Sequence, residues 1–168
     1  DFFNVDGEGD HYADFIINNV RPTLDVNYRT LNDPANTLVM GSSFGGIISA
    51  YIAWAHSDVF GKAGLLSPAW WAIPNLRDAL RNAAPRSERI YLYWGTEESS
   101  GSANAATWWP PFIDSYDLYL SQGYTVGHDY LATVGCGEAH NESAWARYLP
   151  ESFRFLLDIR DEANQLVY

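Results

Sequence analysis

The residues with the most to offer chemically lie in three short segments. Gly41-Ser42-Ser43-Phe44-Gly45-Gly46 contains a G-x-S-x-G match centred on Ser43, between a β-rich run and a helical one. A sharp strand-to-helix turn holds such a serine in a strained conformation and lifts its hydroxyl above a sheet, with glycines two residues either side to avoid clashes. A serine hydroxyl is a poor nucleophile until a base takes its proton, and imidazole suits that task near neutral pH. Of the four histidines, His11 sits beside an amphipathic helix, His56 ends a helix and His128 falls in an expected strand. His140 alone lies in a loop after a strand, within Gly135-Cys136-Gly137-Glu138-Ala139-His140-Asn141-Glu142, and is the candidate base. An acid that orients the base is then required. Gly95-Thr96-Glu97-Glu98-Ser99-Ser100 offers Glu97 or Glu98, giving the chain order serine, acid, histidine.

The elements that must position these groups follow from periodicity. Apolar spacing predicts helices over 12–20 (capped by Asp10 and broken or kinked at Pro22), 45–55, 75–82, 108–122 and 143–159, with a bend at Pro150. Strands are expected over 37–40, 62–66, 89–94 and 125–134. Alternation of strand and helix specifies an α/β fold: a mainly parallel sheet with helices on both faces. In such sheets the functional groups gather in loops after the carboxyl ends of the strands. All three candidate segments occupy such loops. The acidic opening loop 4–10 imitates a calcium loop, but Phe15 stands where a bidentate Glu is needed.

Composition narrows the function classes. The chain has 168 residues, 47% of them hydrophobic, which suits one domain over 1–168 with a sizeable core. Ten basic residues against 21 acidic ones give a net charge of −11, which repels phosphate backbones and excludes nucleic acid as an expected partner. No apolar run is long enough for a membrane-spanning helix. One cysteine, Cys136, excludes an internal disulfide and a cysteine zinc cage, and no H-x-x-x-H or H-E-x-x-H spacing occurs. No metal or other cofactor is therefore expected. Lys62 is the only lysine among the basic residues, a skew that with the acidic balance fits an extracellular or periplasmic setting and equally a GC-rich genome. The start at Asp1, without Met, marks the chain as an expected piece of something longer.

The Ser43 elbow, Leu66-Ser67-Pro68-Ala69-Trp70-Trp71, the Tyr91–Glu98 strand end and Gly137-Glu138-Ala139-His140-Asn141-Glu142-Ser143-Ala144-Trp145 together resemble the putative-esterase family. That group includes esterase D-like, feruloyl and acetyl-xylan esterases, siderophore esterases and mycolyltransferases. The resemblance runs from about 9 to 157. It implies an α/β-hydrolase fold with Ser43 as nucleophile, His140 as base, Glu98 rather than Glu97 as acid, and the backbone N–H of Phe44 as one oxyanion donor. It also implies that several strands, and the second oxyanion donor, precede Asp1, so the chain is expected to be the C-terminal portion of an incomplete domain. Trp70 and Trp71 are the expected wall of a pocket for a carbohydrate or aryl ester. The alternatives are an acyltransferase using the same triad and a non-catalytic carbohydrate-binding module that keeps the fold.

Overall fold

A computed structural model describes residues 8–84, 87–98 and 105–160. Residues 4–7 of the opening loop, and Ser99 and Ser100, lie outside them. Four strands, β1 (Leu38–Ser42), β2 (Lys62–Leu66), β3 (Arg89–Glu97) and β4 (Tyr130–Ala139), form a parallel sheet in the order β1-β2-β3-β4. Between and around them run α1 (Gly9–Phe15), α2 (Arg21–Asn27), α3 (Phe44–Ala55), α4 (Pro74–Arg81), α5 (Ala105–Ser121) and α6 (Glu142–Leu156). This is the α/β architecture the periodicity specifies. No helix among the described residues is long and apolar enough to cross a membrane.

The alternation of side chains in β3 shows how both faces are covered. Ile90, Leu92 and Trp94 join one buried cluster with Ile47 and Ile52 of α3, Leu76 and Leu80 of α4 and Leu118 of α5. Tyr91 and Tyr93 point the other way, into a second cluster with Trp145, Phe155 and Leu156 of α6. Residues of the central strand β2 are buried throughout. A parallel sheet needs this cover, and each fully buried large side chain contributes about 1.5–3 kcal/mol.

Several element boundaries differ from expectation, among them the start of the first helix, which lies at Gly9 with Glu8 and not Asp10 at its cap; three of the differences have clear local reasons. Pro22 does not break the first helix, because a π-helical segment (Ile16–Val20) precedes it and the chain continues into α2. A wider turn relieves the clash between a proline ring and the carbonyl four residues earlier. Residues 125–128 form a turn instead of a strand. The Thr125 carbonyl accepts from the N–H groups of His128, Asp129 and Tyr130, Asp129 Oδ1 accepts from Thr125 N–H, and Gly127 has φ +80°. Turn chemistry outweighs β propensity there, and it leaves His128 exposed. Strands β3 and β4 run on to Glu97 and Ala139, so each ends directly beside a candidate residue.

Candidate active site

Parallel pairing places the carboxyl ends of all four strands at one rim of the sheet. β1 ends at Ser42, β2 at Leu66, β3 at Glu97 and β4 at Ala139. The first residue beyond each strand is therefore Ser43, Ser67, Glu98 and His140. Each of these four polar residues follows the carboxyl end of its own strand, with β3 and β4 running on past the row Ser42–Leu66–Tyr93–Thr133, and three of them are the candidates for nucleophile, acid and base.

Ser43 has φ +56° and ψ −117°, a conformation that side-chain-bearing residues avoid. Such strain costs of order 1–3 kcal/mol and persists only where the surroundings enforce it. Here Ser43 N–H donates to Leu66 O at 2.9 Å, and Ser43 O accepts from Gly46, Ile47 and Ala69 N–H groups. The glycines make this turn possible by close approach. A Cβ on Gly41 would stand 2.4 Å from Gly45 O, and one on Gly46 would stand 3.0 Å from Pro68 Cα. A Cβ on Gly45 would meet nothing within 4 Å. The glycine that admits the neighbouring loop is thus Gly46 and not Gly45. Phe44 opens α3 with its ring exposed and edge-on to Trp71, at 5.7 Å between centroids.

Glu98 and His140 meet directly. Oε2 of Glu98 is hydrogen-bonded to Nδ1 of His140, which leaves the other ring nitrogen, Nε2, outside that bond. The Glu98 side chain is 7% exposed and that of His140 34%. A buried carboxylate needs donors on its remaining lone pairs. Oε1 obtains them from Gly95 N–H at 2.8 Å and from the Ser67 hydroxyl. Glu97, the other acid considered, is the last residue of β3 and pairs in register with Ala139. The carboxylate beside the imidazole belongs to Glu98. His140 is held from its other side by α6, which begins beyond Asn141. The Asn141 side chain caps that helix by accepting from Ala144 N–H at 3.0 Å, and the Trp145 ring stands edge-on to the imidazole at 5.0 Å.

A cleft of about 290 Å³ opens at this rim, lined by His140, Glu98, Ser67, Trp70, Trp71, Trp94, Arg77 and Asp114 among others. Both expected tryptophans line it, with different roles. Trp70 is buried in the core, whereas Trp71 is 77% exposed and free to lie against a ligand. Arg77 and Asp114 were not signalled by the motifs, and Trp94 lay within the Tyr91–Glu98 motif without a role of its own. Arg77 and Asp114 form a salt bridge at 2.5 Å between α4 and α5, elements whose relative placement no local pattern encodes. Ser67 lay within a quoted segment, and its position after a strand was the signal that could have found it. The nearby phenols are poor proton acceptors at neutral pH. Burial, and then the carboxylate of Glu151 for Tyr91 and the hydroxyl of Tyr148 for Tyr93, pushes both far above the usual tyrosine range. Cys136 is exposed, and the Tyr51 and His56 rings pack edge to face away from the Glu98–His140 pair.

With this geometry in view, the comparison with known proteins has a structural meaning. The family model described as "Putative esterase" matches residues 4–156. The chain belongs to that family. Among curated proteins, this esterase-family chain is 28% identical over 99 residues to "Uncharacterized protein YbbA" of Bacillus subtilis (strain 168), covering 58% of the chain and 39% of that protein. Among solved structures, it is similar to the enterobactin esterase FES from Shigella flexneri (TM-score 0.68, 20% identity, 88% of this chain and 37% of that one). It is also similar to the S-formylglutathione hydrolase FrmB from Staphylococcus aureus (TM-score 0.64, 14% identity, 89% and 65%) and to a ferulic acid esterase (TM-score 0.63, 17% identity, 88% and 61%). The fold is that of the α/β-hydrolases. The chain spans well under half of YbbA and no more than 65% of these three structures.

Proposed function

We propose that this chain carries the catalytic residues of a serine esterase that cleaves carboxylic esters through an acyl-enzyme. The observation that carries the reading is the Glu98–His140 hydrogen bond at the rim where the strained Ser43 turn also ends. In this reading Glu98 holds the His140 ring with Nδ1 protonated, so that Nε2 accepts the proton of Ser43 as its oxygen attacks the ester carbonyl. The Phe44 N–H, at the head of α3, stabilises the tetrahedral oxyanion. The imidazolium then protonates the departing alcohol. In the second half, His140 takes a proton from water, the hydroxide attacks the acyl carbonyl, and the proton returns to Ser43. No cofactor enters these steps.

The cleft favours esters bearing a flat or sugar-like group. Trp71 offers an exposed indole face, and the Arg77–Asp114 pair offers polar atoms at the same cleft. One relative named above is a ferulic acid esterase, and the enterobactin esterase structure was determined in the presence of 2,3-dihydroxy-N-benzoyl-serine; both compounds carry an aromatic ring, which supports an aromatic group on the substrate here. The test is p-nitrophenyl acetate hydrolysis by the full-length protein and its Ser43→Ala form, with fluorophosphonate labelling alongside. The expected result is turnover and labelling lost together in Ser43→Ala. Equal turnover in both forms overturns the serine mechanism.

A further inference from the structure

The rim holds a fourth residue that the acyl-enzyme steps leave without a role. Ser67 follows β2 as Ser43 follows β1, and it too has a positive φ, +47°. Its residue is 1% exposed, so only a small part of it faces the cleft it helps to line. Its hydroxyl donates to Glu98 Oε1 and accepts from the Trp145 indole N–H at 3.0 Å. The Trp145 ring meets the His140 ring edge-on at 5.0 Å, and His140 closes the circuit through Nδ1 to Glu98 Oε2. Four side chains from four segments form one closed loop: Glu98, Ser67, Trp145, His140.

The geometry points to Ser67 and Trp145 as positioning residues for the acid and base. This inference rests on the esterase reading and extends it. The physical argument concerns degrees of freedom. Glu98 is the first residue beyond its strand, so its side-chain torsions are not fixed by sheet pairing. Gly95 N–H and the Ser67 hydroxyl both bind Oε1, which turns Oε2 toward the imidazole. The Ser67 proton is committed to the carboxylate because, of its two partners, the Trp145 indole N–H can only donate and the ionised Glu98 carboxylate can only accept. Trp145 then acts twice, as the donor that sets the hydroxyl's direction and as the wall that limits rotation of the His140 ring. A hydroxyl that served only to stabilise the fold would need neither the carboxylate that binds His140 nor a donor from the residue against that ring. The positive φ has the same implication, since backbone strain in side-chain-bearing residues gathers where function enforces it.

The experiment uses the full-length protein with Ser67→Ala, Ser67→Gly and Trp145→Phe, measuring kcat and KM on p-nitrophenyl acetate. It also follows the far-downfield proton NMR signal of His140 Nδ1–H and the thermal melting temperature. Ser67→Gly relieves the positive φ while lacking the hydroxyl, and Trp145→Phe keeps a ring edge while lacking the donor. All three variants are expected to lose kcat roughly 10- to 100-fold, by analogy with outer-shell partners that orient metal-bound histidines. KM should stay within about two-fold, because the interaction serves positioning and not binding. The Nδ1–H signal should shift or broaden in each. If Ser67→Gly has the parent kcat and signal, the hydroxyl has no positioning role and the inference fails. If kcat falls only in step with the melting temperature while the NMR signal is unmoved, Ser67 is merely structural and the inference again fails. Retained turnover in Ser43→Ala is a separate result: it would sink the esterase reading, whatever Ser67 does.

Discussion

The two ends of the sheet handle buried polar groups in opposite ways. At the carboxyl rim, Ser43 and Ser67 hold positive φ, and the polar side chains bind mainly one another in a closed loop around Glu98. At the amino end, Lys62 and Arg89 open adjacent strands in register. Arg89 donates to Phe155 O at 2.7 Å and pairs with Asp158 at 3.0 Å, tying the end of α6 back under the sheet. Asp158 is also bound by Arg160 at 2.7 Å. Both ends are polar and partly buried. Positive φ occurs at both, since Asp158 has φ +55°; the difference is that the rim directs its hydrogen bonds toward one imidazole, whereas the base uses its charges to anchor the chain. Rim substitutions should therefore change turnover more than stability, and base substitutions the reverse.

The sharpest break of that contrast is Ser43→Gly. It removes the proposed nucleophile and also the Cβ that makes φ +56° costly. Turnover of p-nitrophenyl acetate should fall at least about 10⁴-fold. In the same variant, stability by chemical denaturation should rise by about 1 kcal/mol, the strain relief less the added freedom of the unfolded chain. A variant both dead and more stable would show that the fold bears this strain for function. Loss of stability instead would mean that the Ser43 conformation is no burden.

Next in size is the acid. Glu98→Gln keeps the shape but places an amide against His140 Nδ1, and kcat should drop about 10²- to 10⁴-fold through the wrong tautomer. Glu97→Gln, one residue earlier, should leave kcat close to the parent value. Comparison of the two by steady-state kinetics separates a carboxylate on the imidazole from general negative charge at the rim. An equal loss in both would erase the distinction that the Glu98–His140 contact draws.

How far this division was legible in the sequence depends on how local its causes are. β2 was readable to the residue at both ends because Lys62 and the short run Ala63–Leu66 stand between Gly61 and the turn residues Ser67 and Pro68. The nucleophile, acid and base segments were readable because glycine punctuation, strand ends and chain order are all one-dimensional signals. Which glutamate meets the imidazole was not decidable from the residues alone. It depends on a register irregularity between β3 and β4 at Gly95/Glu97, a property of two paired strands. The bond between Ser67 and Trp145 was hidden for the same reason, since it joins residues 78 positions apart. Pro22 misled because a π-helical segment five residues long absorbs it, and a proline rule carries no knowledge of that adjustment.

At the base, Arg89→Met should destabilise the fold by about 1–3 kcal/mol, since it leaves the Phe155 carbonyl without its donor and Asp158 with Arg160 alone. The kcat and KM of the folded enzyme should be unchanged. Urea unfolding together with kinetics at a temperature well below melting checks both halves. A fall in kcat without loss of stability would mean that the base communicates with the rim, and the division proposed here would be wrong.

The smallest effect belongs to Lys62, the chain's only lysine, 9% exposed at the start of β2. Burial, and then the Arg89 guanidinium beside it, lowers its ammonium below the usual lysine value, against the opposing pull of Glu88, Asp158 and Asp33. The sign follows from proton counting. With the folded value lowered and the unfolded one near 10.5, the unfolded chain binds more protons in the interval between them. Stability contributed by this site therefore rises with pH through that interval, and the cost of burying the charge is fully present below it. Lys62→Met keeps the apolar stem and removes the ammonium. It should be more stable than the parent at neutral pH, with the advantage shrinking as the pH climbs toward 10.5, and with kcat unaltered. Denaturation midpoints of both proteins across that range measure the effect. A parent that is the more stable at neutral pH would mean that the three carboxylates outweigh burial, and that this lysine, like Arg89, anchors the base.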